Sequence, residues 1–312
     1  MTETALDPTA IDRLIVTGYE QRPLAVVAML VTLYVPRGDD PVARQAIAAL
    51  VDGYVAVAGA HLRWALSGDA RLRDLRKQPL ASCVERTRGL AADQSFEIPL
   101  SGADDFDDAS PFGLSCLMAR RQPPPNMGYL SASFPLGFLD RQPPGWFFQW
   151  VAAACAQLQP IHGYAGLGLI RSMDGGTAQL AEPAIYPLAE RFPGLEIDDP
   201  IAHTLYLEDG IKGVNWLTIV SDPLLARIGR RAGVRSQFSD RITVHDTVGG
   251  LIIQAGPVPQ LGDRETGFIP ERYREVYRVL RPLQADYPDI LIDTPDPIDP
   301  MAFKERWMTR FA

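Results

Sequence analysis

The stretch "LAVVAMLVTLYV", residues 24–35, is an almost unbroken apolar run rich in Val and Leu. A membrane-crossing helix needs about 20 such residues, so this run is too short to span a bilayer. Its continuous apolar character fits a strand buried on both faces. Such a strand requires neighbours in its sheet and helices above it, and the flanking sequence supplies both. "DPVARQAIAALVDGYVAVAGAHLRWAL" (Asp40 to Leu66) repeats its apolar residues at spacings of three and four, with Asp40 placed to cap the N-terminus and Pro41 in the first turn. Between Ser95 and Leu139, "SFEIPL", "FGLSCLM" and "YLSASFPLGFL" read as successive strands separated by Gly, Pro and Asp turns. "WFFQWVAAACAQLQ" (Trp146 to Gln159) carries no charge and reads as a buried helix lying on that sheet.

The pattern continues with a strand at Tyr164 to Ile170, a helix over 176–192, a strand at Val214 to Ser221 and a short helix from Pro223. The strands "RITVHDT" and "GLIIQAG" follow, then a closing helix from Pro270 to Gln284 and an Asp- and Pro-rich tail over 286–312. This order predicts an α+β fold, with mixed or antiparallel sheet regions covered by helices. It allows two similar halves meeting near residue 140, although no short repeat is visible. The Pro clusters at 123–125 and 143–144 are too short to act as flexible tethers. Residues 1–312 are therefore expected to form a single compact domain.

Composition narrows the function classes. The chain has 312 residues, of which 46% are hydrophobic and 22% charged, which is ordinary globular usage. Its net charge of -8 opposes direct binding to nucleic acid, because affinity for phosphate backbones rests on clustered Lys and Arg. Cys83, Cys116 and Cys155 are widely spaced and form neither a zinc pattern nor a disulfide framework. The leader before residue 24 is net acidic and lacks a small-residue cleavage site. A cytoplasmic protein without a membrane span is expected.

Motifs for chemistry are sparse. His61, His162, His203 and His245 lie far apart with no paired ligand spacing, so neither metal nor cofactor is expected. No serine stands in a GxSxG frame, and no GxxxxGK[ST] loop occurs. "GYAGLGLI" approaches GxGxxG, but its glycines fall inside a strand and read as packing residues. Asp263 and Glu265 in "PQLGDRETG" read as turn chemistry with Arg264 beside them, and Trp216 reads as core. An enzyme would have to assemble its site from scattered residues such as His203, Glu208 and His245.

One charged stretch is different. From Gly89 to Ala119 there is no Lys or Arg, and "GADDFDDASP" sets Asp104, Asp105, Asp107 and Asp108 around Phe106. The stretch lacks the alternating DxDxDG order of a calcium loop. It reads either as a solvated loop or as an interface that offers negative charge and one aromatic anchor to a basic partner.

Four segments taken together carry a resemblance: "HGYAGLGL" (162–169), "KGVNWLTIVSDPLL" (212–225), "GGLIIQAGPVPQLGD" (249–263) and "YREVYRVLRPLQ" (273–284). In order and spacing over roughly residues 20–285 the chain resembles the type VI secretion immunity family, formerly a domain of unknown function, that accompanies toxins of the restriction-endonuclease fold. The resemblance implies a non-enzymatic protector that binds and neutralises a cognate toxin, most simply a cytoplasmic nuclease, by covering its active or substrate-binding site. It carries over no catalytic residues. It implies a structural role for Gly213, Asn215, Trp216, Gln254, Gly256, Pro259, Gly262 and Asp263, which match the family signature. The contact surface does not follow from the resemblance. The expected partner-binding residues are Asp104, Asp105, Phe106, Asp107 and Asp108, meeting a basic cleft on the toxin.

Overall fold

The computed structural model describes residues 11, 13–66, 71–121 and 127–312. The 123–125 Pro cluster and most of the leader lie outside the described residues. The apolar run forms β2 (Pro23–Val35), the middle strand of a large sheet. A short strand β1 (Ile15–Thr17) pairs with its start. β9 (His162–Arg171) lies against one edge of β2 through ten antiparallel residue pairs, and β8 (Gly128–Phe134) lies against the other. Outward from β9 come β11 (Leu217–Ser221), β13 (Gly250–Gln254) and β12 (Thr243–Thr247). Outward from β8 come β7 (Gly113–Met118), β6 (Leu100–Ser101), β3 (Trp64–Leu66) and β4 (Leu72–Asp74). β5 (Phe96–Glu97) pairs with β7, and β10 (Glu196–Ile197) pairs with β9. Every pairing is antiparallel except that of β9 with β10. The main strands from before residue 140 thus occupy one end of the sheet and those from after it the other, and they meet at the β2/β9 pair.

Strand alternation separates the two faces of β2. Val27, Met29, Val31, Leu33 and Val35 pack with helices α1 (Pro41–Ala58) and α4 (Trp146–Leu158), whose Ile47, Val51, Tyr54, Val151 and Cys155 are fully buried. Leu30 and Tyr34 point to the opposite face, where they join Tyr129 and Tyr164. Asp40 caps α1 by accepting from the Val42 and Ala43 amides, with Pro41 at the first turn as its sequence predicts. The helix ends earlier than its apolar periodicity suggests. A 3-10 turn at Gly59–His61 redirects the chain, and Trp64 to Leu66 become a strand because β6 and β4 offer them backbone partners. By length and composition Pro41–His61 could cross a membrane; in this fold its apolar stripe lies on the sheet.

The short helices α2 (Cys83–Thr87), α3 (Leu136–Leu139), α6 (Pro200–His203), α7 (Asp222–Ala226) and α8 (Arg230–Arg235) fill the connections, while α5 (Gly175–Arg191) and α9 (Glu271–Leu280) are longer. The stretch 286–312 is more than a polar tail. It ends in α10 (Pro300–Met308), and Phe303, Trp307, Met308 and Phe311 belong to the main core. Aspartates and prolines mask this in the sequence: Asp299 serves as the N-cap and Pro300 as the first helical residue.

One signature residue, Asn215, meets a buried carboxylate. Glu196 is 3% exposed and receives a hydrogen bond of 3.1 Å from Asn215 Nδ2. Lys212 Nζ lies 2.7 Å from its Oε1 and Arg310 Nη2 3.5 Å from its Oε2. Asn215 turns its other amide atom, Oδ1, to the Trp216 N–H at 2.7 Å, and its own N–H donates to Thr218 Oγ1. These side-chain bonds hold 214–216 as a turn and delay the strand predicted from Val214 until Leu217. A Cβ at Gly166 would come within 1.9 Å of Asn215 Oδ1, so glycine in β9 makes room for this junction.

Gly166→Ala is expected to destabilise the fold by about 3 kcal/mol, the range of overpacking with loss of a buried polar contact. Gly166→Ala combined with Asn215→Ala should cost clearly less than the sum of the two single changes, because both act on the same contact. Urea melts of the three variants measure this, and strict additivity would show that the two residues do not constrain each other.

Candidate functional site

The loop "LIIQAGPVPQLGD" spends its polar groups internally. After β13, the Ala255 N–H donates to the Trp216 carbonyl and the Gly256 carbonyl accepts from Trp216 Nε1 at 2.8 Å. Gly256 and Gly262 have φ of +96° and +69°, a region costly for residues with a Cβ; at Gly262 a Cβ would strike Pro193 and Pro270. Pro259 is buried, and the Gln260 N–H donates to the Tyr273 hydroxyl. Asp263 exchanges backbone bonds with Phe268, caps a 3-10 turn, and receives Arg191 at 3.2 and 2.8 Å. Gln254 Oε1 lies 3.0 Å from His245 Nε2. A Cβ at Gly213 would meet Arg310 Nη1 at 3.9 Å, an ordinary contact, and nothing in the structure explains the glycine.

The scattered enzyme candidates stay apart. His203 is buried beside Tyr34 of β2, Glu208 is exposed, and His245 lies on β12 against Phe148. Four strand spacings separate β2 from β12, roughly 19 Å at the usual separation of about 4.8 Å. A different polar network surrounds His203. Asp198 accepts from the hydroxyls of Thr32, Ser131 and Tyr164, and its Oδ1 lies 3.7 Å from His203 Nδ1. Burial opposes ionisation of Asp198, but His203, Lys212 and Thr32 together hold its carboxyl at about 2. Burial keeps both imidazoles neutral, driving His162 down to about 3 and lowering His203 as well. His162 Nδ1 donates to the Ile219 carbonyl, which assigns its tautomer. This network ties the sheet to α6; every oxygen of Asp198 is engaged.

Asp198 and Ser131 of this network line an open groove of about 550 Å³. One wall comes from the β5–β8 end of the sheet, with Glu97, Ser115, Ser131 and Ser133, and the other from β9, α5 and α6, with Arg171, Glu182, Asp199 and Ile201. Its charged lining residues are Glu97, Glu182, Asp198, Asp199 and Asp293 against Arg171. Arg171 is already occupied by Glu182 and by the Asp198 carbonyl. Burial raises the Glu97 carboxyl, and no cation pairs with it among the described residues. Sequence reading missed this groove because its residues come from segments as far apart as Leu30 and Asp293. Only "DDP" at 198–200 signalled a helix start, and Asp199 does cap α6.

The acidic loop stands on the groove's rim, since Ser101, Ser110 and Phe112 line the cavity on either side of it. Its four aspartates are not left to repel one another, as the local sequence suggested. Arg22, from the start of β2's approach, pairs with Asp107 and lies 2.7 Å from Asp108, and Arg63 lies 2.6 Å from Asp104. Hydrogen bonding to Arg22 lowers the Asp107 carboxyl. Asp107 and Asp108 therefore face inward, with side-chain exposures of 30% and 11%, while Asp104 and Asp105 are 84% and 73% exposed. Phe106 is partly exposed and meets Trp64 edge-on at 6.4 Å. The loop presents two carboxylates and one seated ring.

The TsiV family model, described as type VI immunity for VRR-NUC, matches residues 46–311. The chain belongs to this family. It is a type VI secretion immunity protein directed against VRR-NUC toxins, and its match reaches through α10, beyond the residue-285 limit that the sequence segments suggested. Among solved structures it is similar to the Pseudomonas aeruginosa T6SS protein PA0821, with a TM-score of 0.84 at 22% identity, over 94% of this chain and 84% of that one. At that identity the likeness shows a shared fold. No curated protein matches.

Because His162 is buried neutral, its proton affinity is lower in the folded than in the unfolded chain. Its contribution to stability is complete above about pH 6.5 and is lost as pH falls toward 3, at up to roughly 1.4 kcal/mol per pH unit. Replacing it by His162→Gln should flatten the fall in unfolding free energy between about pH 6 and 4, as measured by urea melts. An unchanged slope would assign the acid sensitivity to other groups.

Proposed function

We propose that this family member neutralises its cognate VRR-NUC toxin by direct binding, without catalysis of its own, and that it does so by masking the basic surface with which the nuclease holds nucleic acid. The family match carries the choice of partner. The outward display of Asp104, Asp105 and Phe106 supports the manner of binding. A nuclease must attract a polyanion, so its substrate cleft is basic, and an acidic face with an aromatic anchor competes for it. Phe106, already seated on Trp64, loses little freedom on binding. A nuclease that acts on intracellular nucleic acid would be met in the cytoplasm, the compartment in which this chain is then expected to work.

The enzyme reading has less support. The residues that would carry it are dispersed, and Asp198, the groove-lining carboxylate nearest an imidazole, is engaged by hydroxyl groups of the fold.

Titrating the purified chain into its VRR-NUC nuclease should abolish nuclease activity at a fixed stoichiometry. Asp104→Asn with Asp105→Asn should slow association about tenfold at low salt and reduce its salt dependence. Phe106→Ala should act mainly by raising the dissociation rate. Asp107 and Asp108 are left intact in this test because they hold Arg22. Inhibition that is undiminished in both variants would remove the loop from the interface, and absence of any inhibition would sink the reading itself.

A further inference from the structure

The groove beside the acidic loop has a chemistry of its own. Its carboxylates are of two kinds. Asp198 and Glu182 are consumed by the fold, the first by hydroxyls and the second by Arg171 and the Asp293 amide. Glu97 has no cation beside it among the described residues, and Asp199 reaches Arg171 only at 3.9 Å while its side chain remains 46% exposed. Ser115, Ser131 and Ser133 line the same groove, as do the apolar Ile201 and Ile290, which are 51% and 37% exposed. The volume of about 550 Å³ is within the usual range for a site that encloses a small ligand or a short piece of chain, about 300–1,000 Å³.

These features select an occupant. Phosphate and nucleic acid are repelled by the carboxylates. A metal ion lacks ligands, since no group of three His, Cys, Asp or Glu side chains converges among the described residues. A guanidinium fits, because its planar fork bonds carboxylates and hydroxyls together while its aliphatic stem covers apolar surface.

We propose that this groove seats an arginine-bearing segment of the VRR-NUC toxin, with Glu97 and Asp199 as the carboxylates that receive it and Ile201 and Ile290 as the apolar flank. The proposal rests on the toxin-binding reading above and extends it from the exposed loop to the adjoining groove. The loop and the groove then divide the work. Asp104 and Asp105, which are largely exposed, steer the encounter, whereas the half-buried Glu97 makes a desolvated contact that holds the complex.

The test uses the full chain and a fluorescein-labelled hexa-arginine peptide, read by fluorescence anisotropy at near-physiological salt. Saturable binding is expected, weakened about tenfold by Glu97→Gln with Asp199→Asn and far less by Asp104→Asn with Asp105→Asn. Asparagine at 199 still caps α6, so the groove variant should keep the wild-type melting temperature. Equal losses in the two variants, or no saturable binding, would overturn the proposal by reducing the effect to general charge. The VRR-NUC nuclease is then added to the peptide complex. Displacement of the peptide supports the groove as the toxin's seat. A nuclease that binds and is inhibited while the peptide stays in place overturns the groove proposal and leaves the immunity reading intact. A nuclease that does not bind the wild-type chain at all overturns both.

Discussion

The carboxylate of Glu196 is the point on which the second end of the sheet depends. It lies inside the protein with two cations and an amide around it: Lys212 and Asn215 from the segment before β11, and Arg310 from just beyond α10. Taking such charges out of water costs several kcal/mol each, and the cost is recovered only where geometry and further hydrogen bonds are good. Here the further bonds exist. Arg310 donates to the carbonyls of Pro193, Trp307 and Val214 and stacks over Trp307 at 3.4 Å, and Lys212 donates to the Ile197 carbonyl. Burial nevertheless draws the Arg310 guanidinium down to about 10. Three stretches remote in sequence, 193–197, 212–215 and 307–310, are thus fastened at one place. An apolar junction could supply comparable stability, but only the polar one prescribes which segment meets which.

That constraint explains what the sequence disclosed and what it hid. The long apolar strand β2, the capped helix α1 and the uncharged helix α4 were legible because each is specified by local pattern: continuous burial, a three-four repeat with Asp40 and Pro41, and a run without charges. The family segments were legible as spacing, and the structure supplies their physical reason. Gly166 stands opposite Asn215, Trp216 reaches the Gly256 carbonyl, and Asp263 receives Arg191. The helix in the tail was not legible, since its Asp and Pro residues resemble a solvated linker until Phe303 and Trp307 are seen in the core. The neutralising role of Arg22 was equally hidden. Its partner Asp107 is 85 residues away, and no local rule connects them.

A second lesson concerns the polar interior. A histidine, an aspartate, two tyrosines and a lysine gathered beneath a groove have the appearance of chemistry. Most of their hydrogen bonds are made within the fold. Asp198 is saturated by three hydroxyls, His162 and His203 are kept neutral by burial, and the Tyr34 and Tyr164 hydroxyls lie 3.0 Å apart as partners of each other. The network pins α6 to the middle of the sheet, and by doing so it fixes the wall of the groove on which Asp199 and Ile201 stand.

An inhibitor of this kind must act before the toxin does damage and must then stay bound, and these two demands call for different charges. Exposed carboxylates such as Asp104 act through solvent over about one Debye length, some 8 Å at physiological salt, and add little to affinity because ions screen them. Half-buried carboxylates act only at contact, but there they are strong because the alternative is a desolvated and unpaired charge. In the free protein Glu97 already bears part of that desolvation, shown by the upward shift of its carboxyl. A cation brought to it would relieve the shift and return Glu97 to its ordinary ionisation. On the toxin-binding reading proposed above, the acidic loop and the acidic groove are not redundant: the first would govern how quickly a basic partner arrives, and the second how long it remains.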